Sequence, residues 1–365
     1  MADVRPLDHA TVATVAPRAA AATVAIPAVP ELVAETADLV SRRLRQETPS
    51  IATFTGLMAA YHMGWVDRNG WPVDAQPSKM VRSSLCLWAC AAACGDGEPA
   101  LPAALALEWV HNATLVHDDI QDGDRQRRSR ETVWSVWGAG HGINAGDAMY
   151  GTAFERLLRP GPMARRRLAA GRVLAGAISR LIEGQCIDLA HEGRLGISPS
   201  AYLRMARAKT GALLAASLQM GAIMGGARHG VVTRLRRAGE LLGLAFQVRD
   251  DWLGIWGDPG VTGKSRDHDL QRRKITYPVV AGYSAMNAEE RSSFSAAFSG
   301  GGRRGPEAVA DLRALLERRG AHHLAAAAGR EFAERATQLV TASGLDVRHA
   351  QQFKEFARYV ANRAG

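Results

Sequence analysis

Few residues of the kinds that cross-link or anchor a chain occur in this 365-residue sequence. No two of its four cysteines, Cys86, Cys90, Cys94 and Cys186, have the Cys-x2-Cys spacing of a zinc site. Three of them recur every fourth residue along one face of a predicted helix, and we interpret all four as small buried residues in a reducing compartment. No stretch is apolar enough for an integral membrane span, and the N-terminus lacks the basic cluster of a signal peptide. These absences predict a cytoplasmic protein.

Alternation of apolar and polar residues, the pattern of a half-buried strand, is also absent, as is any short-period repeat. The net charge of +9 would suit a nucleic-acid partner, but the arginines are scattered and are not interleaved with aromatic residues, which make up 6% of the chain. We therefore expect no nucleic-acid partner. An anionic small substrate explains part of the positive charge.

Apolar residues at helical spacing fill most of the chain after about residue 30. They predict helices over residues 31–46, 51–65, 79–94, 101–120, 142–158, 163–191, 199–224 and 235–256. Further helices are expected from about residue 275, with two or three after a glycine-rich break at 300–305. The pattern predicts an all-α fold, with one large single-domain helical bundle over residues 31–365.

Residues 1–30 differ from the rest of the chain. They are rich in alanine and proline and are interrupted at Pro17, Pro27 and Pro30. This composition predicts a disordered tail. The tail is either an inert extension or a docking segment for a partner.

Two groups of aspartates lie inside otherwise apolar helical sequence. Asp118, Asp119 and Asp122 end one predicted helix, and Asp250 and Asp251 lie within another. Carboxylates one turn apart repel each other, so a stable fold needs a compensating charge; a hard divalent cation such as Mg²⁺ supplies it and accepts a phosphate as co-ligand. A single group of this kind could be a solvated acidic face. Two such groups in apolar surroundings indicate a site for metal and diphosphate.

Basic residues lie next to these acidic groups or inside the same helices. Lys79 and Arg82 are predicted to share the first turn of a helix, where the helix dipole also favours anions. The others are Arg125, Arg127, Arg128 and Arg130 in the loop after Asp122, and Lys209, Lys264 and Lys274 further along the chain. Each alone could be a surface residue. Together they could hold a second phosphate group directly.

The order of these motifs resembles that of the trans-isoprenyl diphosphate synthase (polyprenyl synthetase) family, from about residue 40 to the C-terminus. Two aspartate-rich motifs of that family are matched by residues 118–122, followed by Arg127-Arg128, and by Phe246-Gln247-x-x-Asp250-Asp251. Further family motifs are matched at Lys79-x-x-Arg82, Gly184-Gln185-x-x-Asp188, Lys209-Thr210, Gly263-Lys264 and Asp269-x-x-x-x-Lys274. Each motif is weak alone, but so many in the correct order are specific. The chain looks most like bacterial geranylgeranyl diphosphate synthases.

The resemblance implies a bundle of ten or more helices around a deep central cavity, usually in a homodimer. It also implies a reaction, the head-to-tail 1′-4 coupling of an allylic prenyl diphosphate with isopentenyl diphosphate. Mg²⁺, typically three ions, would be held by Asp118, Asp122 and Asp250, supported by Asp119 and Asp251.

The resemblance further assigns the basic and polar residues. Isopentenyl diphosphate would be held by Lys79, Arg82, His111 and Arg128, and the allylic diphosphate by Arg127, Lys209 and Lys264. The ionising carbon would be lined by Gln185, Thr210 and Gln247, with Lys274 adding positive field. His111, considered alone, could be an ordinary core or surface residue; it precedes Asp118 by two turns on nearly the same helix face.

Product length is predicted from the residues one turn before Asp118. Relatives that stop at C15 look different there, with bulky aromatic side chains, whereas this chain has Ala113 and Thr114. Small side chains leave the cavity open, which predicts geranylgeranyl diphosphate (C20) as the main product. Trp88, near Cys86 and Cys90, is the expected floor of the cavity.

Three departures from the family pattern leave alternatives open. Gly254 stands where the second acidic motif usually has a third aspartate. Pro77, Ser78 and Ser83 replace residues around Lys79 and Arg82, and Ser129 and Glu131 replace a glycine and a proline after Arg128. A terpene synthase or cyclase on the same fold, or a non-catalytic subunit of a prenyl synthase, are the alternatives.

Overall fold

The computed structural model describes residues 30–48, 53–73, 79–262, 267–299 and 305–363. The predicted tail, except for Pro30, and the positions of Pro77, Ser78 and Lys264 lie outside these ranges. The helices of the first half are α1 (Glu31–Glu47), α2 (Phe54–His62), α3 (Val81–Cys94), α4 (Leu101–Gln121), α5 (Val133–Trp137), α6 (Ala139–Leu157) and α7 (Ala164–His191). The second half contains α8 (Pro199–Ala206), α9 (Ala212–Met224), α10 (His229–Trp256), α11 (Pro259–Thr262), α12 (His268–Gln271), α13 (Tyr277–Ser284), α14 (Ala288–Ser299), α15 (Pro306–Arg318), α16 (Ala321–Thr341) and α17 (Val347–Asn362).

This architecture confirms the all-α prediction, but several local predictions were wrong. A two-stranded hairpin, β1 (Gln126–Arg127) and β2 (Arg130–Glu131), lies in the segment that was expected to be a loop. Strands of two residues are too short to show alternation in sequence. Lys79 precedes α3 and does not share its first turn with Arg82, because Met80 adopts a left-handed backbone conformation with φ of 48°.

The centre of the bundle is α9, which carries no charged residue. Leu213 and Met220 belong to one apolar core, built mainly with α2, α4, α6 and α7. Leu214 and Leu218 belong to a second core, built mainly with α10 and α13 to α17. A helix that is apolar all round must be buried on every side. The position of α9 between the two cores follows from its sequence.

The helix that was predicted over residues 199–224 is interrupted by a π-helical turn at Arg207–Gly211, between α8 and α9. Neighbouring helices approach this turn closely because they present glycines to it. A Cβ atom on Gly184 of α7 would lie 2.2 Å from the backbone nitrogen of Lys209, and one on Gly243 of α10 would lie 2.5 Å from the Cα atom of Gly211. The turn that carries Lys209 and Thr210 is therefore fixed between α7 and α10.

The cysteines only partly match their interpretation as buried residues. All four thiols are free; Cys86 and Cys90 are buried, whereas Cys94 and Cys186 are exposed. None of the helices in the described ranges has the length and apolar character needed to cross a bilayer.

Candidate active site

The first acidic group lies at the C-terminal end of α4. Asp119 is 1% exposed, and its Oδ1 atom accepts a hydrogen bond of 2.7 Å from Nε of Arg127. Burial raises the pKa of Asp119 to about 6, against the opposing charge of Arg127. Asp118 and Asp122 are only partly buried. Burial also raises the pKa of Asp118, while the charge of Lys209 acts in the opposite direction.

The second acidic group lies on α10, and its two aspartates have different surroundings. Asp251 is buried, and its oxygens accept hydrogen bonds from Nε2 of Gln247 at 2.9 Å, from the backbone N–H of Tyr277 at 2.9 Å and from Oη of Tyr202. Burial raises the pKa of Asp251 to about 6. Thr210 Oγ1 in turn donates to Oε1 of Gln247 at 2.6 Å. Asp251 therefore orients Gln247 and, through it, Thr210.

Asp250, next to it, is 46% exposed and pairs with the guanidinium of Arg363, one residue beyond α17. Arg363 is held in place from several sides. Its side chain is 8% exposed and its Cζ atom lies 3.9 Å from the ring centroid of Phe246, while its carbonyl oxygen accepts a hydrogen bond of 2.8 Å from Nε of Arg249. The C-terminal end of the chain thus supplies a cation beside Asp250.

Lys274 links the two acidic groups electrostatically. Desolvation acts to lower its pKa, but nearby carboxylates outweigh this effect and hold the pKa of Lys274 above its ordinary value. These carboxylates belong to Asp269, Asp251, Asp188 and Asp122. The ends of α4, α7 and α10 therefore face a common space that contains the ammonium group of Lys274.

Side chains from α7 and the π-helical turn complete this space. Lys209 Nζ lies 2.6 Å from Oδ2 of Asp188. Nε2 of Gln185, which is 6% exposed, donates a hydrogen bond of 2.9 Å to Oε1 of Gln121. Gln185 is therefore held against the end of α4.

A second, strongly basic cluster lies between α2, α3, α4 and the hairpin. Burial, followed by the charge of Arg82 and those of Arg128 and Arg127, lowers the pKa of His111 well below its ordinary value. His62 lies in the same cluster, and burial together with the charges of Arg127 and Arg128 lowers its pKa to about 3. Both imidazoles are thus neutral in the folded protein near pH 7. Nε2 of His62 and Nε of Arg82 are buried without a hydrogen-bond partner, which suits a site for an anion.

One departure from the family pattern is explained by a buried carboxylate in this cluster. Oε1 of Glu108, which is 1% exposed, accepts hydrogen bonds from the backbone N–H of Ser83 at 3.1 Å and from its hydroxyl at 2.8 Å. A proline at this position could donate neither bond. Ser83 thus ties the first turn of α3, with Arg82, to α4.

A second departure, Gly254, is explained by Asp269. A Cβ atom on Gly254 would lie 1.9 Å from Oδ2 of Asp269, so no larger residue fits there without displacing that carboxylate. Asp269 therefore places a carboxylate against α10 where the second acidic motif lacks its third aspartate.

The residues predicted to control product length are buried inside α4. Ala113 is 0% and Thr114 is 7% exposed, and Oγ1 of Thr114 donates to the carbonyl oxygen of His111 at 2.7 Å. Trp109, one turn before Ala113, is completely buried. Trp88, the expected floor, lies in the other core and packs against Phe353 of α17 with ring centroids 5.3 Å apart. Trp109, and not Trp88, thus shares the apolar core of Ala113.

The donor chemistry of the acidic groups suits Mg²⁺. Asp118, Asp122 and Asp250 offer only carboxylate oxygens, which are hard ligands. Within the described ranges, however, no three histidine, cysteine, aspartate or glutamate side chains converge as a preformed metal site. A cation here would complete its shell with water and the oxygens of a phosphate ligand, as Mg²⁺ commonly does.

Most of the predicted site residues come together in these two clusters. Lys79 lies outside α3 and is exposed, and Lys264 lies outside the described residues. Asp188 and Asp269 belong to motifs that match the family, but no role was predicted for either. His62, Tyr202 and Arg363 were not predicted as site residues. Each of these three is a single polar residue in helical sequence, and only the fold brings it to the site.

Comparisons with known proteins agree with the all-α fold. The model of the polyprenyl synthetase family matches residues 65–317. The chain is 36% identical over 329 residues to a (2E,6E)-farnesyl diphosphate synthase of Mycobacterium tuberculosis, covering 89% of this chain and 91% of that protein. It is 41% identical over 290 residues to a geranylgeranyl diphosphate synthase of the same organism, covering 79% and 75%.

A crystal structure of polyprenyl synthetase from Streptomyces coelicolor A3(2) is 37% identical and superposes with a TM-score of 0.84, covering 90% of this chain and 98% of that one. Geranylgeranyl pyrophosphate synthetase from Pyrococcus horikoshii is 28% identical and superposes with a TM-score of 0.81, covering 91% and 98%. These matches extend over nearly the whole fold and both acidic helices. The chain belongs to the polyprenyl synthetase family of trans-prenyltransferases.

Proposed function

We propose that this protein is a Mg²⁺-dependent prenyltransferase that joins an allylic prenyl diphosphate to isopentenyl diphosphate head to tail, with geranylgeranyl diphosphate (C20) as its main product. The observation that carries the proposal is the presence of two chemically different clusters of charged residues. One combines carboxylates with Lys209 and Lys274, and the other is basic and contains Arg82, His111 and Arg128.

The allylic diphosphate belongs at the acidic site. Asp118, Asp122 and Asp250 would hold Mg²⁺, which when bound supplies positive charge at the leaving diphosphate. Breaking the C1–O bond leaves an allylic cation and a diphosphate whose negative charge grows in the transition state. Lys209 and Lys274 add fixed positive charge where that negative charge develops.

The hydrogen-bonded series from Asp251 through Gln247 to Thr210 is proposed to line the ionising carbon, together with Gln185. Because Asp251 accepts a hydrogen bond from the amide of Gln247 and so fixes it, the polar atoms of this series keep one orientation toward the cation. Positioned dipoles of this kind need no reorganisation during the reaction. Asp119 has the corresponding supporting role for Arg127.

Isopentenyl diphosphate belongs at the basic site. It carries a diphosphate that is not cleaved, so direct contacts with arginine and neutral imidazole suffice and no metal is required there. A cyclase needs no second diphosphate site, and the retention of Arg82 and Arg128 therefore favours condensation. The final proton from the coupled product would pass to the departing diphosphate.

Chain length is proposed to be set below Ala113. The growing chain would pass the small side chains of Ala113 and Thr114 and stop at Trp109, one turn deeper. One helical turn is about 5.4 Å, close to the length of one extended prenyl unit. A floor one turn below the position that stops C15 relatives therefore supports C20.

A homodimer is proposed from an apolar surface on two adjacent helices. Ile143 of α6 and Leu168 and Ile182 of α7 are 47%, 58% and 48% exposed. Exposed large apolar side chains on neighbouring helices support an interface in this region. Light scattering after gel filtration should give twice the chain mass, and Ile182→Arg should give the monomer; a monomeric wild type would contradict this.

A product assay tests the catalytic proposal. The purified protein would receive Mg²⁺, isopentenyl diphosphate and, separately, the C5, C10 and C15 allylic diphosphates, with products identified by mass spectrometry. Prenyl diphosphates that end at C20 are expected. Hydrocarbons or terpene alcohols without elongation would indicate a cyclase instead, and no turnover of any substrate would indicate a non-catalytic subunit.

A further inference from the structure

The hairpin that carries Arg127 and Arg128 has an unusual turn. Arg128 and Ser129 both adopt left-handed backbone conformations, with φ of 51° and 61°. A two-residue turn with two positive φ values is favoured by asparagine and glycine, whereas arginine and serine rarely adopt it. The turn conformation must therefore be held by contacts outside the turn.

The contacts come from the second strand of the hairpin, at the residue directly after the turn. The guanidinium of Arg130 donates hydrogen bonds to the carbonyl oxygens of Tyr61 at 3.2 Å and Val66 at 2.7 Å, and it lies 4.5 Å from the centroid of the Tyr61 ring. Oη of Tyr61 donates to the carbonyl oxygen of Glu131 at 2.9 Å. A single arginine thus holds two carbonyl groups, one in the last turn of α2 and one four residues beyond its end.

The first strand is held from the opposite side. Arg127 is fixed by its bond to the buried carboxylate of Asp119, and it pairs with Arg130 in the hairpin register. The turn residue Arg128 therefore lies between two anchored strands. Its charge reaches His62 and His111, so its side chain is directed toward the basic cluster.

We infer that the contacts of Arg130 with the end of α2 form a lock that positions Arg128 for the diphosphate of the non-ionising substrate. The inference rests on the proposed function of the basic cluster. Arg130 is the residue that holds the turn of the hairpin in this chain. Ser129 stands where the family has glycine, which adopts positive φ without strain. Arg130 and Tyr61 act through Arg128 and are positioning residues.

The lock predicts a separation of kinetic constants. In Arg130→Met, KM for isopentenyl diphosphate should rise about tenfold, the factor that corresponds to 1.4 kcal/mol, because Arg128 is no longer held in its strained conformation. KM for the allylic diphosphate should stay within about twofold of the wild-type value. Tyr61→Phe keeps the ring and removes one hydrogen bond, so a smaller rise is expected.

Ser129→Gly provides the rescue. Added to Arg130→Met, it should return KM for isopentenyl diphosphate most of the way to the wild-type value, because glycine adopts the turn conformation unaided. Arg68→Met is the matched control: it removes an exposed 2.9 Å ion pair with Glu131 on the same hairpin, and it should leave both KM values unchanged.

Failure of the lock and failure of the proposed function give different results. A wild type that does not elongate an allylic primer contradicts the proposed function, and the lock is then judged by calorimetric binding of inorganic pyrophosphate without metal, which should weaken in Arg130→Met and recover with Ser129→Gly. An unchanged KM in Arg130→Met and Tyr61→Phe, an equal rise for both substrates, or absence of rescue by Ser129→Gly would overturn the inference.

Discussion

Replacing Ala113 by phenylalanine tests the proposed control of product length. At 1.5 Å per residue, Ala113 lies about 7.5 Å and Trp109 about 13.5 Å along the α4 axis from Asp118, where the diphosphate is proposed to bind. A phenylalanine at position 113 would raise the floor by about 6 Å, roughly one helical turn. The main product should therefore shorten by one prenyl unit, from C20 to C15.

The size of this effect follows from packing. Inserting bulk into a filled apolar space costs about 1–3 kcal/mol, and about 1.4 kcal/mol is a factor of ten in a ratio. A chain forced against the ring should thus make C15 exceed C20 by a factor between about 5 and about 150. Ala113 is completely buried, so the ring should also overpack the free enzyme and lower its free energy of unfolding by about 1–3 kcal/mol.

Mass spectrometry of the products and urea denaturation of the variant measure the two quantities together. Ala113→Val should give an intermediate mixture. Thr114→Val, which keeps the side-chain size but removes the hydrogen bond to the carbonyl of His111, should retain the wild-type product. A folded Ala113→Phe variant that still makes mainly C20 would refute the reasoning.

Three further predictions address charge. Lys274→Gln should lower kcat about 100-fold with little change in KM for isopentenyl diphosphate, while Lys274→Arg retains most of the rate; equal rates in steady-state assays would contradict this role. His62 has a pKa of about 3 when folded and 6.5 when unfolded, so its contribution to the free energy of unfolding is present above pH 6.5 and is lost as the pH falls toward 3, by at most about 1.4 kcal/mol per unit. Between pH 7 and pH 5, the free energy of unfolding should fall less in His62→Gln than in the wild type. An equal fall in both proteins would contradict the lowered pKa of His62. Arg363→Gln should lower the Mg²⁺ concentration needed for half-maximal binding of a non-ionisable allylic diphosphate analogue, measured by calorimetry. The reason is that the guanidinium no longer competes with Mg²⁺ for Asp250. A higher Mg²⁺ requirement in the variant would contradict this competition.

The helices were predictable because their apolar residues follow the period of the α-helix. The same reasoning placed Asp118 and Asp122 on one face, near the end of a helix, as the structure has them. Lys79 was misplaced because the left-handed conformation of Met80, a buried apolar residue, has no signature in the sequence. The short hairpin escaped prediction because two residues cannot show a period of two.

Contacts between distant parts of the chain could not be predicted in the same way. Arg363 reaches Asp250 across 113 positions, and a lone arginine near a terminus carries no pattern that identifies its partner. Gly254 was interpreted as a missing carboxylate, whereas the space beside it is occupied by the carboxylate of Asp269. Departures from a motif can be weighed only when the neighbours of the changed residue are known.

Two chemically different diphosphate sites are the central claim, and calorimetric binding with and without Mg²⁺ tests it most directly. Isopentenyl diphosphate should bind without metal, with an affinity that is lost in Arg82→Met. A non-ionisable allylic diphosphate analogue should bind tightly only with Mg²⁺. In Asp118→Asn, Mg²⁺ should no longer increase its affinity. An equal metal requirement for both ligands would contradict the assignment of the basic cluster to isopentenyl diphosphate.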